Sequence, residues 1–553
     1  MQEEQRDVLA GTDKTFYPLT SPQAAIWLDM VRGHDPSRYN ICNVFDFEGT
    51  LDVGKLRQAI VQTDHENDAL RLCFAVRNGE LQQHFAPTNR PIEFEVIDLQ
   101  FEEDPERIAR QKVAQFRERV FDLENGENCR HQVLRLGETR YWWVRVYHHI
   151  VCDGYGGHLM AERNAAIYNA LKNDGAIPDC PFKSYRAFIE TDNAYPQTTT
   201  YVRDVAYWRE RLTPDRSPTS VTTLPINAPQ KDAQVVIPLS TETLDALNAT
   251  ARNVGTTPTA ILMGLFAVFL GKVTGEREPM WNLPILNRLG REERETPGAF
   301  SCIIPYSVKL DEQKSILELS DQIFKQSRGD IRHVRMSPVR MRDAGLGLRS
   351  LTATGATFNS LDAATAIHFD NLSVRRINVY HGPADDIGLA FFSETISPSE
   401  QKSELIWQYD ANRIDAQTTQ ALTTAFSRLL DIVLAKPDQK IGVLLDQIDI
   451  DPVHIEALRP KGSDESFAAR LATYVKDVWA GILEIDDLEI DENLIVAGAH
   501  SLLLPRAQSI FAELADRVVK LEEMHEYPTA QSFANNLIKT SSRLDETRLK
   551  AAI

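Results

Sequence analysis

A polar stretch at residues 436–465 divides the chain into two unequal parts. It begins as Lys-Pro-Asp-Gln-Lys and ends as Arg-Pro-Lys-Gly-Ser-Asp-Glu, a composition typical of a linker. We place the linker itself at residues 451–465. The chain has 553 residues, and a single hydrophobic core stops growing at roughly 250–300 residues. The longer part should therefore contain more than one packed unit.

The part before the linker alternates between helical and strand-like patterns. Helical spacing of apolar residues is found at 56–69, 158–171, 241–253 and 258–271, and strand-like runs are found at 70–76, 141–147, 303–309 and 404–409. Such alternation favours an α/β or α+β fold. A polar connection at 190–200 predicts a hinge, which gives a first lobe at 16–190 and a second lobe at 201–450.

The part after the linker reads as a small helical bundle. Apolar residues recur at helical spacing from Phe467 to Leu483, a second helix starts near Ser501, and Pro528-Thr529 opens a last one. Residues 466–540 are therefore predicted to form a four-helix bundle. The segment Glu465–Thr540 carries 13 acidic and 6 basic residues, so the bundle is acidic.

Composition excludes several classes of protein. The net charge of −19 would repel a phosphate backbone, which argues against a nucleic-acid partner. The six cysteines lack any CxxC spacing, which argues against a disulfide framework or a metal site. The polar N-terminus and the short apolar run Ile261–Leu270 predict no signal peptide and no membrane span. We expect a cytoplasmic protein, with Ile261–Leu270 as a buried helix.

The residues that point to chemistry are His148–Gly154, with the sequence HHIVCDG, directly after the predicted strand 141–147. A histidine at a strand end can orient or deprotonate a nucleophile. Asp153 can hold the loop, and Gly154 lets the chain turn into the next helix. A buried histidine pair with an Asx-type turn is the purely structural interpretation.

This motif resembles the HHxxxDG signature of condensation domains of nonribosomal peptide synthetases, relatives of chloramphenicol acetyltransferase. The resemblance extends over most of residues 16–450. Its other core motifs are matched by Thr20–Trp27 (TSPQAAIW), Asp68–Phe74 (DALRLCF), Asp204–Trp208 (DVAYW), Asn287–Gly290 and Gly298–Phe300. The chain departs from the pattern at Ser301-Cys302, where the family usually has Val-Asn, and after His333, where a sixth motif would begin.

The resemblance implies two acetyltransferase-like lobes in a V, with the active site in a tunnel between them. His149 would carry the catalysis beside His148. Asp153 would be structural and would form an ion pair with Arg288. Gly154 would place a backbone N–H near the developing oxyanion.

A second motif, Asn493–Leu502 (NLIVAGAHSL), resembles the phosphopantetheine attachment site of peptidyl carrier proteins. Ser501 would accept 4′-phosphopantetheine from coenzyme A. A serine at a helix N-terminus places its phosphodiester at the positive end of the helix dipole. The structural alternative is that Ser501 is only an N-cap.

The order of the two motifs predicts a condensation–carrier didomain that forms amide bonds. Its partners would be an upstream acyl or peptidyl carrier, an adenylation enzyme acting in trans, and a phosphopantetheinyl transferase. Two alternatives stay open. One is an acyltransferase that takes a diffusible amine or alcohol acceptor. The other is a non-catalytic, condensation-like scaffold, which the departures near Cys302 and His333 suggest.

Overall fold

The computed structural model describes most of the chain between residues 15 and 549. The described ranges are 15–30, 36–77, 80–87, 91–212, 216–224, 231–346, 355–363, 367–380, 386–397, 400–458, 467–483, 485, 488–497, 499, 503–541, 544 and 548–549.

Strands and helices alternate through the first 450 residues, and helices alone follow. The strands are β1 Tyr17–Pro18, β2 Asn40–Glu48, β3 Leu72–Arg77, β4 Glu80–Phe85, β5 Glu93–Asp98, β6 Cys129–Arg135, β7 Arg140–His148, β8 Asp232–Pro238, β9 Met280–Ile285, β10 Cys302–Ser307, β11 Thr357–Ala363, β12 Ser373–Tyr380, β13 Ile387–Ser397 and β14 Glu400–Asp410. The helices are α1 Ser21–Met30, α2 Val53–Glu66, α3 Pro105–Glu118, α4 Gly154–Lys172, α5 Arg186–Ala194, α6 Thr199–Arg211, α7 Thr241–Asn253, α8 Pro258–Thr274, α9 Arg291–Arg294, α10 Ile316–Arg332, α11 Pro338–Asp343, α12 Ala416–Ala435, α13 Ile441–Gln447, α14 Pro452–Leu458, α15 Phe467–Leu483, α16 Leu504–Ala515, α17 Leu521–Glu526 and α18 Ala530–Thr540.

The first lobe is built on a five-stranded sheet in the order β12-β2-β7-β6-β5, beside a small sheet β1-β4-β3. Four of the five strands come from the first 150 residues, whereas β12 comes from the second half of the chain. It pairs antiparallel with β2 from Ser373 opposite Glu48 onward. The two halves of the chain therefore share one sheet, and β7 lies in its centre.

The second lobe is built on a six-stranded mixed sheet in the order β10-β9-β11-β13-β14-β8. Helix α8 packs within this lobe and is buried at nearly every position from Ala260 to Val273. The prediction of a buried helix at Ile261–Leu270 is thus confirmed. Mixed sheets with helices also confirm the predicted α/β class.

The segment 190–200, which the sequence predicts to be a polar connection and a hinge, is largely helical. Helix α5, a 3₁₀ turn at Tyr195–Gln197 and helix α6 run through it almost without a break. The polar residues that suggested a loop have structural partners: Thr198 caps α6 by accepting the Tyr201 amide, and buried Asp192 forms an ion pair with Arg340. This connection is fixed by tertiary contacts.

The predicted linker at 451–465 is also partly helical, because α14 occupies Pro452–Leu458. Residues 459–465 lie outside the described residues. Beyond them, α15–α18 bury one apolar cluster that includes Val475, Trp479, Phe511 and Phe533. The helical character predicted for the C-terminal segment is therefore present in its described residues.

The described residues group into two compact units, a larger one that holds most of the chain before residue 456 and a smaller one that holds α15–α18. Within the described part of the chain, no single helix has the length and apolar content needed to cross a membrane. Helices α7 and α8 meet those criteria only as a pair, across a bend of 98°.

An ion pair between Arg517 and Glu523 stabilises the smaller unit and makes its stability depend on pH. Arg517 donates to both oxygens of Glu523, at 2.9 and 2.6 Å. The Lys520 amide and Asn536 Nδ2 donate to the same carboxylate, each at 2.9 Å. The hydrogen bonds from Arg517 are the largest influence and lower the pKa of Glu523 to about 2.

We predict that the smaller unit loses stability as the pH falls from about 4.5 towards 2. A carboxylate whose pKa is lowered by folding contributes fully above its unfolded pKa and loses that contribution as it becomes protonated. Glu523→Gln should remove up to about 3 kcal/mol at neutral pH and flatten this acid dependence. Hydrogen-exchange protection of residues 504–540 in the full chain, corrected for intrinsic rates, measures both effects. Glu522→Gln, at an exposed neighbouring position, is the control, and equal protection in both variants would contradict the prediction.

Candidate active site

The HHIVCDG motif occupies the junction between β7 and α4. Strand β7 ends at His148, a short turn follows, and Asp153 caps α4 by accepting the Gly156 amide at 2.8 Å. The strand ends where the chain turns towards this capped helix. The motif therefore lies at the end of a central strand, and its residues after His148 lie beyond the sheet.

The two histidines have different surroundings. His148 is 1% exposed, and its Nδ1 accepts the Ile150 amide at 3.2 Å, so its ring forms part of the turn. His149 is half-buried, and its amide donates to the Tyr39 carbonyl at 2.8 Å. Of the pair, His149 keeps partial exposure, but its Nδ1 is buried and has no hydrogen-bond partner within the described residues.

Burial lowers the pKa of the His149 imidazole, and this effect outweighs the opposing influence of the Asp153 charge. An imidazole with a pKa below its ordinary value is neutral at neutral pH. His149 can therefore accept a proton or a hydrogen bond from a nucleophile.

Asp153 is held by donors from the distant segment 288–301. Its Oδ2 accepts from Arg288 Nη1 at 2.6 Å, from the Phe300 and Ser301 amides at 3.1 and 3.0 Å, and from Ser301 Oγ at 3.0 Å. Burial alone would raise the pKa of Asp153, but the charge and hydrogen bond of Arg288 outweigh it, so the pKa is lowered. A carboxylate with this many donors anchors the turn and is poorly suited to carry a proton.

Arg288 is placed by a strained backbone and by carbonyl acceptors. Asn287 before it has φ of 49°, in the left-handed region that asparagine tolerates better than most residues. Arg288 also donates to the carbonyls of Glu293 and Gly298 at 3.0 and 3.1 Å, and its side chain is 0% exposed. The predicted partners Asp153 and Arg288 are thus in direct contact.

Gly154 is the first residue of α4, and it is exposed. Its amide has no hydrogen-bond partner within the described ranges, as expected for the first turn of a helix. A Cβ built there meets nothing within 4 Å, whereas one at Gly156 would lie 2.6 Å from Cys152 Sγ and one at Gly157 would lie 2.2 Å from the Tyr147 hydroxyl. The later two glycines allow close packing, and Gly154 faces open space.

The weaker motifs of the second lobe come together in space. His333 Nδ1 lies 2.6 Å from Asp204 Oδ1, and its ring stacks on Tyr207 at 3.9 Å between centroids. Trp208 Nε1 donates to the His333 carbonyl at 3.0 Å. The DVAYW motif and His333 thus form one structural cluster.

The structure also shows a contact that the sequence did not predict. Ser301 had been noted only as a departure from the family pattern, but its hydroxyl binds Asp153. Cys302 beside it is buried and donates to the Val334 carbonyl at 3.4 Å. No local sequence signal links Ser301 to Asp153, because the two residues are far apart in the chain.

Asp64, Cys129 and His131 have potential ligand atoms within 4.8 Å of one another. However, Trp143 Nε1 donates to His131 Nδ1 at 3.3 Å, which leaves the imidazole proton on Nε2, 2.8 Å from Asp64. A metal would need that Nε2 deprotonated and would then leave neither nitrogen carrying a proton. The three side chains are better explained as a buried Asp–His pair beside a thiol.

Ser501, the predicted attachment residue, lies outside the described residues, as do its neighbours His500 and Leu502. Asn493 Oδ1 accepts the amides of Ile495 and Val496 at 2.9 and 3.2 Å, and Ala499 is buried. Helix α16 begins at Leu504. Ser501 lies between these two described segments in the sequence.

The fold and the HHxxxDG site are those of a known family. A family model for the condensation domain matches residues 13–446, and the chain belongs to the condensation-domain family. Condensation domains of nonribosomal peptide synthetases catalyse amide-bond formation, an acyltransferase-type reaction. Residues 447–553 lie outside this match.

Similar proteins include longer synthases. The chain is 27% identical to an isonitrile lipopeptide synthase of Streptomyces coeruleorubidus over 77% of this chain and 29% of that protein. It is 24% identical to a dimodular nonribosomal peptide synthase of Bacillus subtilis over 70% of this chain and 16% of that protein. The chain thus spans less than a third of the length of either relative.

Solved condensation domains confirm the fold. The starter condensation domain of rhizomide synthetase aligns with a TM-score of 0.72 at 24% identity, over 81% of this chain and all of that one. The first condensation domain of the calcium-dependent antibiotic synthetase aligns with a TM-score of 0.70 at 23% identity, over 77% of this chain and 98% of that one.

We predict that Asp153→Asn destabilises the larger unit by about 3–5 kcal/mol, because it leaves the Arg288 charge buried without a counter-charge. Urea unfolding of the full chain measures the loss. Asp321→Asn is the control, because it breaks an exposed pair with Lys325 that should contribute less than about 1 kcal/mol. A similarly small loss for Asp153→Asn would show that the Asp153–Arg288 pair does not anchor the site.

Proposed function

We propose that this chain forms an amide bond between an acyl or peptidyl thioester, brought by an upstream carrier, and the amine of an amino acid held on Ser501. The observation that carries the proposal is the arrangement at the end of β7. There His149, whose lowered pKa keeps its imidazole neutral, and the exposed Gly154 flank one anchored turn of a condensation-domain fold.

The residues of this turn suit the aminolysis of a thioester. The amine attacks the thioester carbon, and His149 aligns the amine and takes its proton. The Gly154 amide donates to the oxygen that gains negative charge. The carbon–sulfur bond then breaks, and the proton passes from His149 to the departing thiolate. Asp153 and Arg288 keep the turn in place throughout, and His148 holds it from within the core.

The attachment of 4′-phosphopantetheine to Ser501 is part of the proposal. Ser501 precedes helix α16 by a few residues in the sequence, and a helix N-terminus favours a phosphodiester. The arm would supply the thiol that carries the acceptor amino acid. A phosphopantetheinyl transferase would install it, and an adenylation enzyme acting in trans would load it.

We predict that incubation with coenzyme A and a broad-specificity phosphopantetheinyl transferase adds the mass of a single arm to the wild-type chain. Ser501→Ala should show no gain, because it lacks the accepting hydroxyl. Ser509→Ala, within α16, is the matched control and should gain the arm normally. Intact-mass spectrometry measures all three chains. No gain in the wild type would remove the carrier from the proposal and favour an acyltransferase with a diffusible acceptor.

We predict that His149→Ala lowers amide formation at least about 100-fold, a typical contribution of a positioned acid–base group, and leaves attachment of the arm unchanged. The chain would be loaded from aminoacyl-coenzyme A and supplied with a panel of acyl N-acetylcysteamine thioesters. Mass spectrometry of the arm then measures the product. His65→Ala, at a half-buried histidine of α2, should retain wild-type turnover.

The same assay separates the alternatives. Undiminished turnover in His149→Ala would remove this residue from the mechanism. Product formed only on added free amines or alcohols would favour the diffusible-acceptor enzyme. Binding of donor carriers without any His149-dependent turnover would favour the scaffold.

A further inference from the structure

Gln23, in the segment Thr20–Trp27, is fully buried and takes no part in the mechanism above. Its Oε1 accepts the Thr20 amide at 2.9 Å and the Thr20 hydroxyl at 3.0 Å. Helix α1 starts at Ser21, so Thr20 and Gln23 form the reciprocal arrangement of a capping box. The side-chain oxygen of Gln23 therefore caps the start of α1.

The nitrogen end of the same side chain reaches the active-site turn. Gln23 Nε2 lies 3.2 Å from the Ile150 carbonyl and 2.8 Å from Gln83 Oε1. Gln83 Nε2 donates back to Gln23 Oε1 at 2.8 Å and to the Pro18 carbonyl at 2.9 Å. The two amides pair face to face, and the pair fixes Gln23 Nε2 against the turn.

Ile150 directly follows His149, so a hydrogen bond that holds the Ile150 carbonyl also restrains the His149 backbone. The His149 amide is already held by Tyr39, and the Asp153 amide donates to the Gly298 carbonyl at 3.0 Å. The Gln23 hydrogen bond restrains the turn between these two points.

We propose that Gln23 is a positioning residue, which aligns the His149 imidazole by holding the Ile150 carbonyl. The inference rests on the proposed function, in which His149 acts on the amine. Displacement of a reacting group by about 1 Å can cost about 100-fold in rate. An enzyme whose turn has lost this restraint should therefore react more slowly without binding its substrates less well.

Gln23→Glu separates the role of the side-chain oxygen from the role of the side-chain nitrogen. A carboxylate keeps an oxygen for the capping box, but it has no N–H for the Ile150 carbonyl. We expect kcat for amide formation to fall at least about tenfold, with KM for the thioester donor within about twofold. Amide hydrogen exchange within residues 149–153 should accelerate, while exchange in the six-stranded sheet stays unchanged.

Gln83→Glu is the matched control, because it puts the same charge into the same buried pair. It leaves Gln23 Nε2 free to donate to the Ile150 carbonyl and to an oxygen at position 83. We expect a comparable loss of thermal stability, a kcat closer to wild type than that of Gln23→Glu, and no acceleration of exchange within 149–153.

If Gln23→Glu fails to fold, Gln23→Met replaces it, with Thr20→Val as its control. Methionine loses both ends of the Gln23 amide. Thr20→Val keeps that amide and removes only the Thr20 hydroxyl, with its contacts to Gln23 Oε1 and to the Tyr185 hydroxyl. Gln23→Met should lower kcat, and Thr20→Val should not.

The inference is overturned if the Gln23 variant matches wild type in kcat and in exchange within 149–153, or if both members of a control pair lose kcat equally. Full turnover in His149→Ala would instead overturn the proposed function. The exchange measurement needs no turnover and would still decide whether Gln23 holds the turn.

Discussion

The buried ion pair between Asp153 and Arg288 is the constraint on which the rest of the site depends. Bringing two charges out of water costs several kcal/mol each, and their attraction offsets this only with good geometry and further hydrogen bonds. Here Oδ2 of Asp153 alone accepts four hydrogen bonds. A competing arrangement of the two halves of the chain would leave a buried charge unpaired. The pair therefore favours one arrangement of the two halves more than it raises the free energy of unfolding. Strand β12 favours the same arrangement, because it completes the sheet of the first lobe.

This anchoring decides which residues are left for chemistry. Asp153 has its acceptor positions filled, Arg288 is buried, and the ring of His148 is turned into the core by its bond with the Ile150 amide. His149 is half-buried and Gly154 is exposed, whereas the other residues of the motif are buried. A base and an oxyanion donor are what the aminolysis of a thioester requires, since the thioester is already activated.

How much could be predicted from the sequence differs between local and long-range features. The strand–turn–helix at 140–172 and the bounds of α7 followed from local patterns, because apolar spacing and caps report secondary structure directly. The helical structure of 190–200 was not predicted, because Asp192 is polar in sequence but buried against Arg340 in the fold. The hydrogen bond between Ser301 and Asp153 could not be predicted either, because the two residues are far apart in the chain. A sequence pattern shows that a residue is polar, but the partner that allows it to be buried comes from a distant segment.

The departures at Ser301-Cys302 and His333 first suggested a degenerate, non-catalytic domain, and the contacts of these residues weaken that interpretation. A valine at 301 would offer Asp153 only its backbone amide, whereas Ser301 offers both its amide and its hydroxyl. Cys302 is buried, with its thiol on the Val334 carbonyl, and His333 binds Asp204 of the DVAYW motif. All three residues thus make defined contacts, and Ser301 is one of the donors that hold the turn bearing His149.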